Sequence, residues 1–139
     1  MVDAERVRRL LGALAGYREQ LAGLRALPRD TYLADQALAG RYLVQVSAQT
    51  CIDLANHVTA SEGWRVPVDF RDAFTVLEEH EVLVADLAER LRALAGLRNR
   101  LVHVYEDIDD GLVHGALEEG IADLDAFAGA IARLICEQD

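Results

Sequence analysis

The segment LVADLAERLRALAGLRNRLVHVY, residues 83–105, sets Leu87, Leu91, Leu94, Leu97, Leu101 and Val104 three or four positions apart, the spacing of one face of an α-helix. The same period continues on both sides of it. Upstream, Val7, Leu10, Leu11, Leu14, Tyr17, Leu21 and Leu24 predict a long helix over residues 2–26, which Pro28 stops. Asp30 reads as the cap of a second helix reaching residue 61, with Leu33, Ala37, Leu38, Tyr42, Val44, Val46, Ile52, Leu54, Ala55 and Val58 on a broad apolar face. Gly63 and Pro67 bracket its end, and GWRVPVDF is a connector. Asp69 then caps a short helix over residues 70–79 that turns Phe74 and Leu77 inward, with a turn near His80. Beyond the EDIDDG run, Leu117, Ile121, Leu124, Phe127, Ile131 and Leu134 predict a last helix over residues 112–136. Strand alternation is nearly absent. The expected fold is all-α, an antiparallel four-helix bundle with one short extra helix, formed by residues 1–139 as one domain.

The composition agrees with a compact chain. Of its 139 residues 52% are hydrophobic and 27% charged, with two prolines, which excludes collagen-like, mucin-like and disordered classes. No apolar run approaches the roughly 18 to 20 residues that a membrane helix needs, and the start MVDAERVRRLL lacks the apolar core of a signal peptide, so a cytoplasmic protein without membrane contact is expected. Cys51 and Cys136 stand alone, without metal-ligand or disulfide spacing, and are expected to be buried small hydrophobes. A net charge of -10 argues against a general nucleic-acid coat, but the charge is unevenly spread. Residues 90–105 carry Arg90, Arg92, Arg98 and Arg100 and no acidic residue. Residues 106–125 then carry Glu106, Asp107, Asp109, Asp110, Glu118, Glu119, Asp123 and Asp125. All 14 basic residues are Arg, a usage that coding bias explains, although Arg also forks onto phosphate better than Lys does.

Bundles hold cofactors, ligands or interfaces alike, so activity has to be argued from a site. The Glu-x-x-His pairs of di-iron bundles are missing, and no metal site is expected. Glu78, Glu79, His80 and Glu81 read as a solvated charged turn, and His57 and His114 as structural histidines. Phosphate-loop, dinucleotide-binding and nucleophile-elbow motifs are all absent from the sequence. There remains Leu97-Arg98-Asn99-Arg100-Leu101-Val102-His103-Val104-Tyr105, where groups able to bind and titrate interrupt the apolar period.

This stretch resembles the R-x4-H-x-Y motif of the HepT-like toxins of the HEPN superfamily, matched by Arg98, His103 and Tyr105, with Asn99 as the polar residue after the arginine. The run from Gly40 to His57 and the Phe70-Arg71-Asp72-Ala73-Phe74 helix extend the likeness over roughly residues 30–135. The resemblance implies a HEPN-like bundle and a metal-independent ribonuclease without a cofactor. It implies the toxin of a type VII-like toxin–antitoxin pair, cutting cellular RNA, with tRNA among the candidates. It also implies a homodimer and a partner, an MntA-type nucleotidyltransferase antitoxin that silences the toxin by transferring AMP to the motif tyrosine, here Tyr105.

The residue types suit that chemistry. Cleaving an RNA backbone requires a deprotonated 2′-hydroxyl, a stabilised phosphorane anion and a protonated leaving 5′-oxygen. His103 is the candidate for proton transfer, since imidazole ordinarily titrates near neutrality, and Arg98 can fork onto two phosphate oxygens. Asn99 would orient the histidine or the phosphate, while Arg92 and Arg100 would hold the RNA strand. At about 100° per residue, however, an ideal helix sets Arg98 about 140° from His103 and only about 20° from Tyr105. Asn99 and His103 do share a face, and two copies of the helix across a twofold axis would gather both arginines and both histidines in one cleft. The competing reading is a non-catalytic nucleotide-binding or interaction module assisting a nucleotidyltransferase.

Overall fold

The computed structural model describes residues 2–103 and 105–138, Tyr105 through its backbone alone. Asp3 caps α1 (Ala4–Arg25) by accepting the Arg6 N–H at 3.1 Å. The second helix departs from expectation at its start. Pro28, which has no N–H to satisfy, holds the cap position without a side-chain bond, and Asp30 lies inside the first turn, Arg29–Thr31, where its charge complements the helix N-terminus. A π-turn, Tyr32–Gln36, precedes α2 (Ala37–Ser61). Leu38 and Tyr42, expected on the buried face, lie on the side of α2 roughly opposite Val44, Ala55 and Val58 and are 73% and 60% exposed, while Leu33, within the π-turn, is 38% exposed.

Asp69 caps α3 (Phe70–Glu79) by accepting the Asp72 N–H at 2.7 Å. The connector before it is tied down by Arg65, which donates to Asp72 and Glu79, and by Trp64, stacked on His80 with ring centroids 4.0 Å apart. Then come α4 (Ala85–His103) and a short 3-10 turn, Tyr105–Asp107. The last helix, α5 (Asp110–Gln138), begins two residues earlier than its apolar period, because Asp109 accepts the N–H groups of Gly111 and Leu112 at 2.9 and 3.2 Å.

Cross-helix ion pairs and a hydrogen bond fix the directions. Arg18 meets Asp125 and Arg25 meets Glu118, so α1 and α5 are antiparallel, while Arg41–Asp110 near the starts of α2 and α5 and Gln138–Glu62 at their ends make those two parallel. The helices α1, α2, α4 and α5 thus alternate up and down as an antiparallel four-helix bundle, with α3 laid on α2 and α4. No strand occurs among the described residues. The buried side chains form one continuous cluster in which Phe74 of α3 meets Phe127 of α5 edge to face at 5.8 Å. Cys51 is in that core, where burial pushes its thiol pKa up, but Cys136 is exposed on α5 rather than buried as expected.

Candidate active site

The α-helix α4 ends at His103, and Tyr105 starts a 3-10 turn, so the two motif residues do not share a regular helix. The ideal-helix angle to Tyr105 therefore does not apply. The Tyr105 side chain, the expected AMP acceptor, lies outside the described residues, as does Val104. His103 is exposed at the helix end.

Arg98, one and a half turns earlier, is half-buried and held on two sides. Its guanidinium carbon lies 5.1 Å from the ring centroid of Phe70, the first residue of α3, and its Nη1 donates to Asn99 Oδ1 at 3.1 Å. Its Nε is buried without a hydrogen-bond acceptor, and among the described residues no carboxylate pairs with it. The Nη1 bond ties Arg98 to Asn99, the residue whose helical position shares a face with His103. Residue spacing alone does not single out Phe70. The only local hint is an aromatic followed by arginine at a capped helix start.

The other arginines of the basic stretch differ in their surroundings. Arg90 pairs with Asp123 at 2.8 Å, and Arg92 with Glu78 at 2.9 Å and Thr75 Oγ1 at 3.3 Å, so both are engaged in holding helices together. Arg100 is exposed, with no carboxylate partner among the described residues. The acidic run is likewise partly consumed, since Asp110, Glu118, Asp123 and Asp125 pair with Arg41, Arg25, Arg90 and Arg18. In the Glu78–Glu81 stretch Glu79, His80 and Glu81 are exposed, as expected of a charged turn, and Glu78 is half-buried; Glu78 and Glu79 close α3 and pair with Arg92 and Arg65. Only Glu81 sits in a strained turn, with φ 61°.

His57 Nε2 lies 3.5 Å from Ser61 Oγ, and burial, reinforced by nearby Arg6, pushes its pKa down. His114 packs its ring on buried Tyr32 at 4.5 Å. Both histidines fill structural positions, away from the Phe70 and Asn99 contacts that hold Arg98. No group of three metal-ligating side chains occurs among the described residues. A mainly apolar cavity of about 270 Å³ opens between α2, α4 and α5, lined by Val44, Leu94, Leu97 and Leu117 among others, and includes neither Arg98 nor His103. No described helix is long and apolar enough to cross a membrane.

These residues offer a guanidinium without a carboxylate partner among the described residues and an exposed imidazole five positions later. The family model described as Ribonuclease HepT-like matches residues 14–131. The mRNA nuclease HepT of Shewanella oneidensis is 30% identical over 88 residues, which are 63% of this chain and 66% of that protein. The tRNA nuclease HepT of Aphanizomenon flos-aquae is 32% identical over 110 residues, 77% of this chain and 74% of that one. A solved structure of the tri-AMPylated Shewanella oneidensis HEPN toxin in complex with MNT antitoxin aligns with a TM-score of 0.84 at 22% identity, over 96% of this chain and 99% of that chain.

Proposed function

This chain belongs to the ribonuclease HepT-like family, and from that membership we propose that it is the toxin of a toxin–antitoxin pair, an endoribonuclease that cuts cellular RNA in the cytosol without a metal ion. The observation that carries the reading is Arg98: a guanidinium held by Phe70 and Asn99, with no countercharge among the described residues. Keeping a cation half-buried without a carboxylate is costly unless an anion arrives to fill the place.

In the reaction, one His103 takes the proton of the 2′-hydroxyl as its oxygen bonds to phosphorus. Arg98 forks onto the two non-bridging oxygens as their charge grows. The bond to the 5′-oxygen breaks, and a second imidazole returns a proton to that oxygen. The second imidazole comes from a second copy of the chain. Leu38, Tyr42 and Leu112 stand exposed around the Arg41–Asp110 pair, at the end of the bundle where α4 finishes, and give a homodimer an apolar contact. Arg100 adds charge along the cleft, and Arg92 joins it by exchanging Glu78 for phosphate.

An MntA-type nucleotidyltransferase is the antitoxin. The Tyr105 hydroxyl displaces pyrophosphate from ATP and retains AMP, placing phosphate charge and bulk after the end of α4, where it occupies Arg98 and repels RNA. Purified wild type is expected to cleave RNA, while Arg98→Ala loses roughly 3 to 4 kcal/mol of barrier lowering and His103→Ala is silent. Tyr105→Phe keeps cleavage but gains no AMP mass when expressed with the antitoxin. RNA cleavage at the wild-type rate by His103→Ala rejects the mechanism. Tight nucleotide binding without any RNA loss would instead make the chain a binding module.

A further inference from the structure

Residues 92, 96, 99, 100 and 103 of α4 fall within about 100° of one another around the helix axis, so they form one stripe. The helix α3 runs down that stripe in the opposite direction. Its last turn meets the stripe where Glu78 and Thr75 bind Arg92. Its first turn meets it at Gly96, where the Arg71 guanidinium lies over the bare α-carbon so closely that a Cβ would collide with Nη2. Beyond Arg71 the stripe presents half-buried Asn99 and exposed Arg100 and His103, the last about 10 Å along the axis from Gly96.

The charge around Arg71 is as informative as its place. Among the described residues, all three carboxylates of α3 already carry an arginine partner: Asp72 and Glu79 pair with Arg65, and Glu78 with Arg92. Arg71 is exposed, with no ion pair or hydrogen bond of its own among the described residues. Its chain neighbour Phe70 supports Arg98. The start of α3 therefore holds one arginine at the reacting position and sends another onto the same face as His103.

We propose that Arg71 is a phosphate-binding residue of the nuclease, gripping the RNA backbone one or two nucleotides from the scissile phosphodiester, with Gly96 as the seat that keeps its guanidinium flat against α4. The proposal rests on the ribonuclease reading. A phosphate there meets a cation with no competing carboxylate, and the fork geometry suits two phosphate oxygens. Arg71 acts on strand binding and not on bond cleavage, because it lies too far along the stripe to share the scissile group with His103.

The test uses the full chain, a dye-labelled cleavable RNA, and a non-cleavable 2′-O-methyl RNA of the same sequence. Arg71→Ala is expected to raise KM about tenfold with kcat nearly unchanged. It should also flatten the plot of log affinity against log salt by roughly 0.7, one single-strand phosphate contact. Arg71→Lys restores most of the affinity. Gly96→Ala displaces only the flexible tip of Arg71, so it raises KM in the same direction while thermal stability holds or improves. Wild-type cleavage together with unchanged KM and salt slope in Arg71→Ala overturns the proposal, and so does a loss confined to the melting temperature. A wild-type chain that cuts no RNA removes the ribonuclease reading itself, a result seen before any variant is made.

Discussion

Replacing Phe70 by Leu removes the aromatic face under Arg98 but keeps an apolar side chain at the start of α3. At 5.1 Å the guanidinium is within cation–π range, and the half-buried site falls between the exposed and desolvated limits, so the contact contributes about 0.5 to 2 kcal/mol. If Arg98 stabilises the phosphorane, that loss appears in the chemical step as a fall of about 2-fold to 30-fold. Binding changes less, because the Asn99 bond at 3.1 Å still keeps the guanidinium near its place. The assay is single-turnover cleavage of a labelled RNA with enzyme in excess, followed alongside thermal unfolding. Combining Phe70→Leu with Asn99→Ala should cost more than the sum of the two, since each single variant leaves Arg98 one remaining support. A wild-type cleavage rate in Phe70→Leu, in a chain where Arg98→Ala is inactive, would refute the idea that the ring positions the arginine.

Two further outcomes probe the scaffold. Gly40 has no side chain because the hydroxyl of fully buried Tyr32 lies against its α-carbon; Gly40→Ala should cost about 1 to 3 kcal/mol through overpacking, more than helix propensity returns. Chemical denaturation measures this, and adding Tyr32→Phe, which makes room and removes a hydroxyl without a partner, should recover much of it. Arg65, with help from the Val68 N–H, holds the Asp72 carboxyl at about 2, below its ordinary value. Its stabilising effect is thus complete above the unfolded-state value near 4 and is lost as pH falls from there through about 2. Urea midpoints between about pH 5 and about pH 2 should decline less steeply in Asp72→Asn than in wild type.

The helices are legible in the sequence because their signals are local. Leu87, Leu91, Leu94 and Leu101 repeat with the helical period, and Asp3 and Asp69 cap helices through atoms three residues away. The start of α2 misleads for a related reason: Asp30 has the composition of a cap, but Pro28 holds that position, and no periodicity rule anticipates the π-turn inserted at Tyr32–Gln36. The motif residues Arg98, Asn99 and His103 are visible as polar interruptions of an apolar pattern.

By itself, the sequence determined that this chain is a helical bundle and that Arg98, Asn99 and His103 lie within six residues of one another toward the end of α4, since both follow from residue order. Only the tertiary structure decided which arginines are committed to ion pairs of the fold and which are left without a carboxylate partner among the described residues. Arg92 and Arg98 are the same residue type six positions apart, yet one meets Glu78 and the other meets Phe70, from opposite ends of α3. The same packing spreads Arg71 over Gly96. Ion pairs and ring contacts of this kind depend on how α3 crosses α4, a relation set by the burial of Phe74 and Leu77 in the shared core and carried by no local spacing of charges.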